Sequence, residues 1–116
     1  MEARQRIEVG LSAAALGKRG LQESLVYAAQ RQQGGGQIVN YPDVKRMLLL
    51  QKAFSEGAFA LCVRAACLHD GARGGDTNAS ALLDLLTEIV KSWPAEWCLE
   101  ANKNAIQVLA FARAAG

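Results

Sequence analysis

Residues 42–71 read PDVKRMLLLQKAFSEGAFALCVRAACLHDG, and the fold turns on whether this run is helix or strand. Its apolar residues do not alternate. Val44, Met47, Leu50, Phe54, Leu61 and Leu68 recur at steps of three, four and seven, the period of one helix face. Pro42 and Asp43 suit a first turn, where proline forfeits no hydrogen bond and aspartate meets the positive end of the helix dipole. Gly71 is expected to follow as the C-cap, so the helix should span about 42–70. Gly57 and Ala58 predict a close crossing with a neighbour. The run is apolar nearly all round at 47–50 and 58–63, and a helix hydrophobic on more than one face needs more than one partner.

A glycine-rich gap flanks the run on each side: Gly34-Gly35-Gly36 before it and Gly71-Ala72-Arg73-Gly74-Gly75-Asp76 after it. The triple glycine has neither the GxGxxG nor the GxxxxGK[ST] spacing and follows no strand pattern, so it reads as a flexible turn rather than a phosphate loop. Upstream, a helix over about 2–32 places Ile7, Leu11, Ala14, Leu21, Leu25 and Ala28 on one stripe, interrupted by Lys18, whose stem would have to snorkel. Gly10, Ala13, Gly17 and Gly20 form a second line. Each interior glycine costs up to about 1 kcal/mol relative to alanine, which close approach of a neighbouring backbone would offset.

Downstream, Thr77 or Asn78 is expected to cap a helix over about 78–113. Leu82, Leu86, Ile89, Val90 and Trp93 supply its apolar face, continued by Ala101, Ala105, Val108 and Ala112. Pro94 removes a backbone donor and predicts a kink or restart near Ser92. Trp93 and Trp97, four apart, predict a large patch beside it.

At 116 residues and 51% hydrophobic the chain is expected to be one domain, 1–116, with one modest core. The expected class is all-α, an antiparallel bundle of three long helices. Generous apolar coverage predicts a missing neighbour, either a fourth helix or a second copy, hence a homo-oligomer. A net charge of +2 is too weak to propose nucleic acid. No run approaches a membrane span, and no signal-peptide core is present. Cys62, Cys67 and Cys98 form no CxxC pair and, with the lone His69, no zinc set, which predicts reduced thiols in an intracellular compartment. His69 beside Asp70 reads as a solvated helix end, and Glu96 and Glu100, with Lys91 and Lys103, as an ion-paired solvated face. No Ser/His/Asp arrangement is present.

Four pieces in order, IEVGLSAAALGKRGLQESLVYAAQR (7–31), YPDVKRMLLLQKAFSEGAFAL (41–61), LLDLLTEIVKSWPAEWCLEAN (82–102) and AIQVL (105–109), together resemble the C-terminal helical domain of the acyl-CoA dehydrogenase family. The likeness spans about residues 4–109 and implies an incomplete version of that family's C-terminal four-helix bundle. In the family, FAD lies between domains and reaches a neighbouring subunit. A glutamate takes the α-proton of an acyl-CoA thioester while hydride passes from the β-carbon to the flavin. The resemblance assigns Arg31 to the arginine that meets the FAD pyrophosphate, a task suited to a guanidinium by charge and fork geometry. It assigns Gln107 to a glutamine near the flavin.

Two departures qualify this. The family's Gly-Gly after IQVL, which lets backbone approach the phosphates, is replaced by Ala110 and Phe111. The common catalytic glutamate falls past residue 116, and the alternative place on the first helix is about where Gln5 stands, which cannot act as a base. The expectation is therefore a fragment or remnant of a flavin-dependent acyl-CoA dehydrogenase, contributing to FAD binding and subunit association with the family's remaining domains, and inactive alone. It would work in the cytoplasm, or in the mitochondrial matrix of a eukaryote. The alternative is a non-enzymatic helical module that self-associates or binds another helical protein.

Overall fold

The computed structural model describes residues 2–115, the side chains of 112–115 excepted; Ala112, expected on the apolar face of the last helix, lies outside the described side chains. The class is all-α: α1 (Ala3–Gln30), α2 (Pro42–Arg73) and α3 (Thr77–Ala115) form a rod of 60 × 20 × 16 Å. α1 and α3 run in the same direction with α2 opposed, since Gly10 meets Cys62 and Val90 while Gly17 meets Ser55 and Cys98.

The buried seams overlap the expected stripes only in part: Ile7, Ala14, Ala28, Val44, Met47, Leu68, Val90, Ala101, Ala105 and Val108 are buried as expected, while smaller and polar residues fill the rest. On α1 the seam is Ile7, Gly10, Ala14, Gly17, Ser24 and Ala28, with Leu21 partly buried among them. On α2 it is Val44, Leu48, Gln51, Ser55, Ala58, Cys62 and Ala65. Both sets step alternately by three and four, the heptad spacing of helices packed side by side. The expected faces were phased on bulk, and several of their members are out in solvent: Leu25, Leu82 and Ile89 are exposed, while Leu83 and Thr87 go inside. Small residues set the seams because they let the helix axes approach.

α1's interior glycines each face an oxygen on a neighbouring helix. A Cβ on Gly10 would stand 2.5 Å from the Val90 carbonyl oxygen, and one on Gly17 would stand 3.0 Å from Ser55 Oγ. On Gly20 it would run into Asn102 Oδ1. Pro94 has no N–H, so the Val90 carbonyl loses its partner one turn on. Ser55 Oγ and Asn102 Oδ1 are buried without a hydrogen-bond partner. Three oxygens short of a donor therefore lie against three glycines, where Cα–H···O contact is the available partner. The close approach expected of the glycine line is met by backbone at Gly10 and by side chains at Gly17 and Gly20. Pro94 is buried and causes no restart, since α3 runs unbroken through it.

Loops and caps differ from expectation in instructive ways. The triple glycine is an ordered hairpin: β1 (Gln32–Gln33) pairs antiparallel with β2 (Gly36–Gln37) across Gly34 and Gly35, whose φ values are 62° and 90°. Positive φ at both central residues is the tight hairpin geometry that glycine allows. The Tyr41 hydroxyl donates to the Gln33 carbonyl, 2.7 Å, and a 3-10 turn at Ile38–Asn40 leads into α2. α2 continues past Gly71 to Arg73, with Gly74 as its C-cap, because Gly75 at φ 96° supplies the left-handed residue there. Asp76, not Thr77 or Asn78, caps α3: its Oδ1 accepts from the N–H groups of Asn78, 3.0 Å, and Ala79, 3.1 Å.

Large apolar residues gather at the two ends of the rod. Ile7, Leu68, Leu83 and Val90 close one end, and Ile38, Val44, Met47, Leu48 and Val108 fill the hairpin end. Trp93 and Trp97 are half-buried rather than a free patch. Trp97 packs on Phe54, with ring centroids 5.1 Å apart, and Trp93 would touch a Cβ on Gly57 at 3.5 Å.

Candidate functional site

The hairpin end carries both residues assigned to a flavin. Arg31 follows α1 with its backbone held on both sides: its N–H donates to the Tyr27 carbonyl, and its carbonyl accepts from Ile38 N–H, each at 2.9 Å. A fixed backbone with an exposed side chain suits a guanidinium that reaches outward. Gln107 is exposed on α3 toward the same end of the rod, where Ile106, Leu109 and Ala110 form an open groove with Tyr27. The fold thus brings the α1 and α3 candidates to one end, as the expected antiparallel bundle implies.

Ala110 and Phe111 fit a flavin poorly. α3 stays helical through both, so their N–H groups point back to carbonyls four residues earlier and are not free for a phosphate. Phe111 instead packs on Tyr41, ring centroids 5.6 Å apart, and covers the hairpin-end core. Any flavin contact from these elements has to come through side chains. Gln5, near the alternative base position, is occupied structurally: its Oε1 accepts the Glu2 backbone N–H at 3.1 Å, half of a capping box.

Several other charged groups pair with one another. Glu8 pairs with Arg4, Glu88 with Arg6 across the α1–α3 seam, and Glu100 with Lys103. Burial pushes the Cys62 thiol above its ordinary value of 9.0, with Cys98 adding to the effect, and burial raises Cys98 too. Raised thiols stay protonated near neutrality and are poor nucleophiles. Among the described residues no His/Cys/Asp/Glu group could hold a metal, and no helix is long and apolar enough to cross a membrane.

Apolar pattern missed a polar feature of the core. Gln51 is fully buried, and Ser24 Oγ reaches both the Gly20 carbonyl, 2.7 Å, and Gln51 Oε1, 3.2 Å. One hydroxyl proton serves only one of them, and either orientation of the Gln51 amide leaves one of its polar atoms unpaired. The heptad positions of Gln51 and Ser55 were the available signal.

Two grooves flank α1. On its α3 side, Ala13 and Leu16 of α1 face Ala95, Cys98, Leu99 and Asn102 of α3, with the Tyr27–Ile106 groove farther along. Among the described residues, no charged one lines either part. Leu16, Leu99 and Ile106 are 65%, 58% and 63% exposed there, large apolar side chains with no neighbour on the outside.

Comparison with known proteins agrees with the all-α fold. The model of the acyl-CoA dehydrogenase C-terminal domain matches residues 3–111. The chain is 32% identical over 116 aligned residues to 3-methylmercaptopropionyl-CoA dehydrogenase of Ruegeria pomeroyi, covering 89% of this chain and 20% of that protein. It is 30% identical over 122 residues to the broad-specificity linear acyl-CoA dehydrogenase FadE5 of Mycobacterium tuberculosis, covering 90% of this chain and again 20% of the relative. The chain therefore spans about a fifth of each relative's length. No solved structure matches significantly. A helical rod of this connectivity, matched by the family's domain over nearly its whole length, belongs to the acyl-CoA dehydrogenase family and corresponds to its C-terminal domain.

Proposed function

We propose that this chain is the C-terminal bundle portion of a flavin-dependent acyl-CoA dehydrogenase, contributing to FAD binding and subunit association and not catalytic alone. The supporting observation is the exposed Arg31, held on a fixed backbone at the same end of the rod as Gln107. A bound FAD would supply the hydride acceptor. Arg31 would offer a forked cation to its diphosphate, and Gln107 an amide near the flavin. The helical backbone at 110 and 111 offers nothing to the phosphates. No base occupies the place of Gln5, so proton abstraction needs a carboxylate from elsewhere. Free thiols at Cys62, Cys67 and Cys98 fit a reducing compartment.

The test is flavin retention when the chain is reconstituted with the family's other domains. Arg31→Ala should weaken retention by about 1.5–3 kcal/mol, the worth of a charged hydrogen bond, with Arg31→Lys recovering part of it. Equal flavin content in wild type and Arg31→Ala would return Arg31 to a solvated surface role. The isolated chain should be colourless and should not reduce an electron acceptor given acyl-CoAs; a yellow, active protein would overturn the reading.

The neutral groove favours a second, compatible reading, association through that face. Leu16, Leu99 and Ile106 lie where a fourth helix or a second copy would cover the junction of α1 and α3.

A further inference from the structure

The α2 side of α1 carries a different groove. Leu21, Leu25, Leu48 and Leu49 line it, and Lys45 and Lys52 stand with them. It continues over α2 past Pro42, Arg46, Leu50 and Ala53. Among the described residues, no carboxylate lines either part. Lys45 and Arg46 make no ion pair among the described residues, and Lys52 reaches only Glu56, at 3.8 Å, between exposed side chains. Leu49 is 66% exposed and Leu25 44%, so the leucine lining is wet.

Charge decides what such a groove can hold. A wholly apolar occupant would strip water from the lysines without pairing them, which costs free energy. A second copy of the same face would set lysine against lysine. Lys45 and Lys52 are seven residues apart on α2, two turns or about 10 Å. A helix laid along the groove can match that interval with carboxylates seven apart, while its apolar residues between them meet Leu25 and Leu49. We propose that this groove docks an acidic amphipathic helix from another polypeptide. The proposal stands apart from the flavin reading, because no Arg31 or Gln107 contact enters it.

The probe is a fluorescein-labelled helical peptide of about 18 residues, leucines at heptad positions a and d and glutamates at e and g, titrated into the 116-residue chain by anisotropy. Saturable binding is expected, weakened about tenfold or more by roughly 0.5 M salt. Lys45→Glu/Lys52→Glu should also weaken it about tenfold or more, whereas Leu99→Glu/Ile106→Glu on the neutral face should not. Circular dichroism checks each fold. If the glutamate pair does not fold, Lys45→Gln/Lys52→Gln carries the same test with a smaller loss. No binding, equal binding of a peptide with lysine in place of glutamate, indifference to the lysine substitutions, or loss caused by the neutral-face variant instead overturns the proposal. So does lysine-dependent binding to phosphatidylserine–phosphatidylcholine vesicles without peptide binding, which would give the surface to a lipid bilayer.

Discussion

The two flanks of α1 are built on opposite rules. Toward α3, glycines bring α1 so close that the Val90 backbone oxygen would lie 2.5 Å from a Cβ on Gly10, and the groove outside is neutral. Toward α2, at the hairpin end, leucines line the groove and lysines stand beside them. Residue size sets how near two helices come, and charge then sets what the remaining surface accepts. The same helix can therefore serve a dry seam on one side and an electrostatically selective one on the other.

The largest test of that contrast is Gly10→Ala. Helix propensity favours alanine by up to about 1 kcal/mol. A backbone oxygen at 2.5 Å and Cys62 Sγ at 2.9 Å cannot yield without shifting α3 or α2. Overpacking costs about 1–3 kcal/mol and sometimes more, the upper end applying where backbone must move, so after the propensity gain a net loss of about 2 kcal/mol is expected in urea unfolding. A Gly10→Ala protein at wild-type stability would mean the α1–α3 seam is looser than described.

Next comes association through the neutral groove. Sedimentation equilibrium at micromolar concentration should show a homodimer or larger species, and Leu99→Glu/Ile106→Glu should weaken it about tenfold or more. A wild-type monomer with cooperative unfolding would mean that three helices bury all they need.

Gly57→Ala sharpens the contrast with the opposite sign. Its Cβ would meet Trp93 at 3.5 Å, ordinary contact, so propensity wins and a gain of about 0.5–1 kcal/mol is expected. A loss there would show that Trp93 demands a glycine beneath it.

The smallest effect concerns the buried thiols. Cys62 and Cys98 are raised in the folded state, so the unfolded chain ionises first. Their contribution is fully present below the ordinary thiol value of 9.0 and is lost as pH rises through the higher folded values. Cys62→Ala/Cys98→Ala should show a shallower alkaline decline than wild type; parallel declines would remove the thiols as its cause.

Much of this was legible in residues. The three-step and four-step recurrence in PDVKRMLLLQKAFSEGAFALC identifies α2, Pro42 marks its start, and four ordered pieces point to the family. Arg31 and Gln107 could be singled out one at a time, and the expected antiparallel bundle already runs α1 and α3 in the same direction; what was not legible is the ordered hairpin that fixes the Arg31 backbone. Gln51 was hidden because a polar residue in an apolar run looks like a solvent position. Phe111 was read as a departure from a glycine, and its packing on Tyr41 depends on a hairpin more than seventy residues earlier that no apolar pattern marks.

Periodicity by itself determined that three helices form and that each has faces to bury, because the 3.6-residue turn is a local property of the chain. Tertiary structure decided which face. Ile7, Gly10, Ala14 and Gly17 became the seam while Leu16 and Leu25 stayed wet, since burial follows how closely backbones approach. That distance belongs to pairs of helices: Gly10 is needed where Pro94 leaves the Val90 carbonyl without a donor, a condition set by residues on another helix.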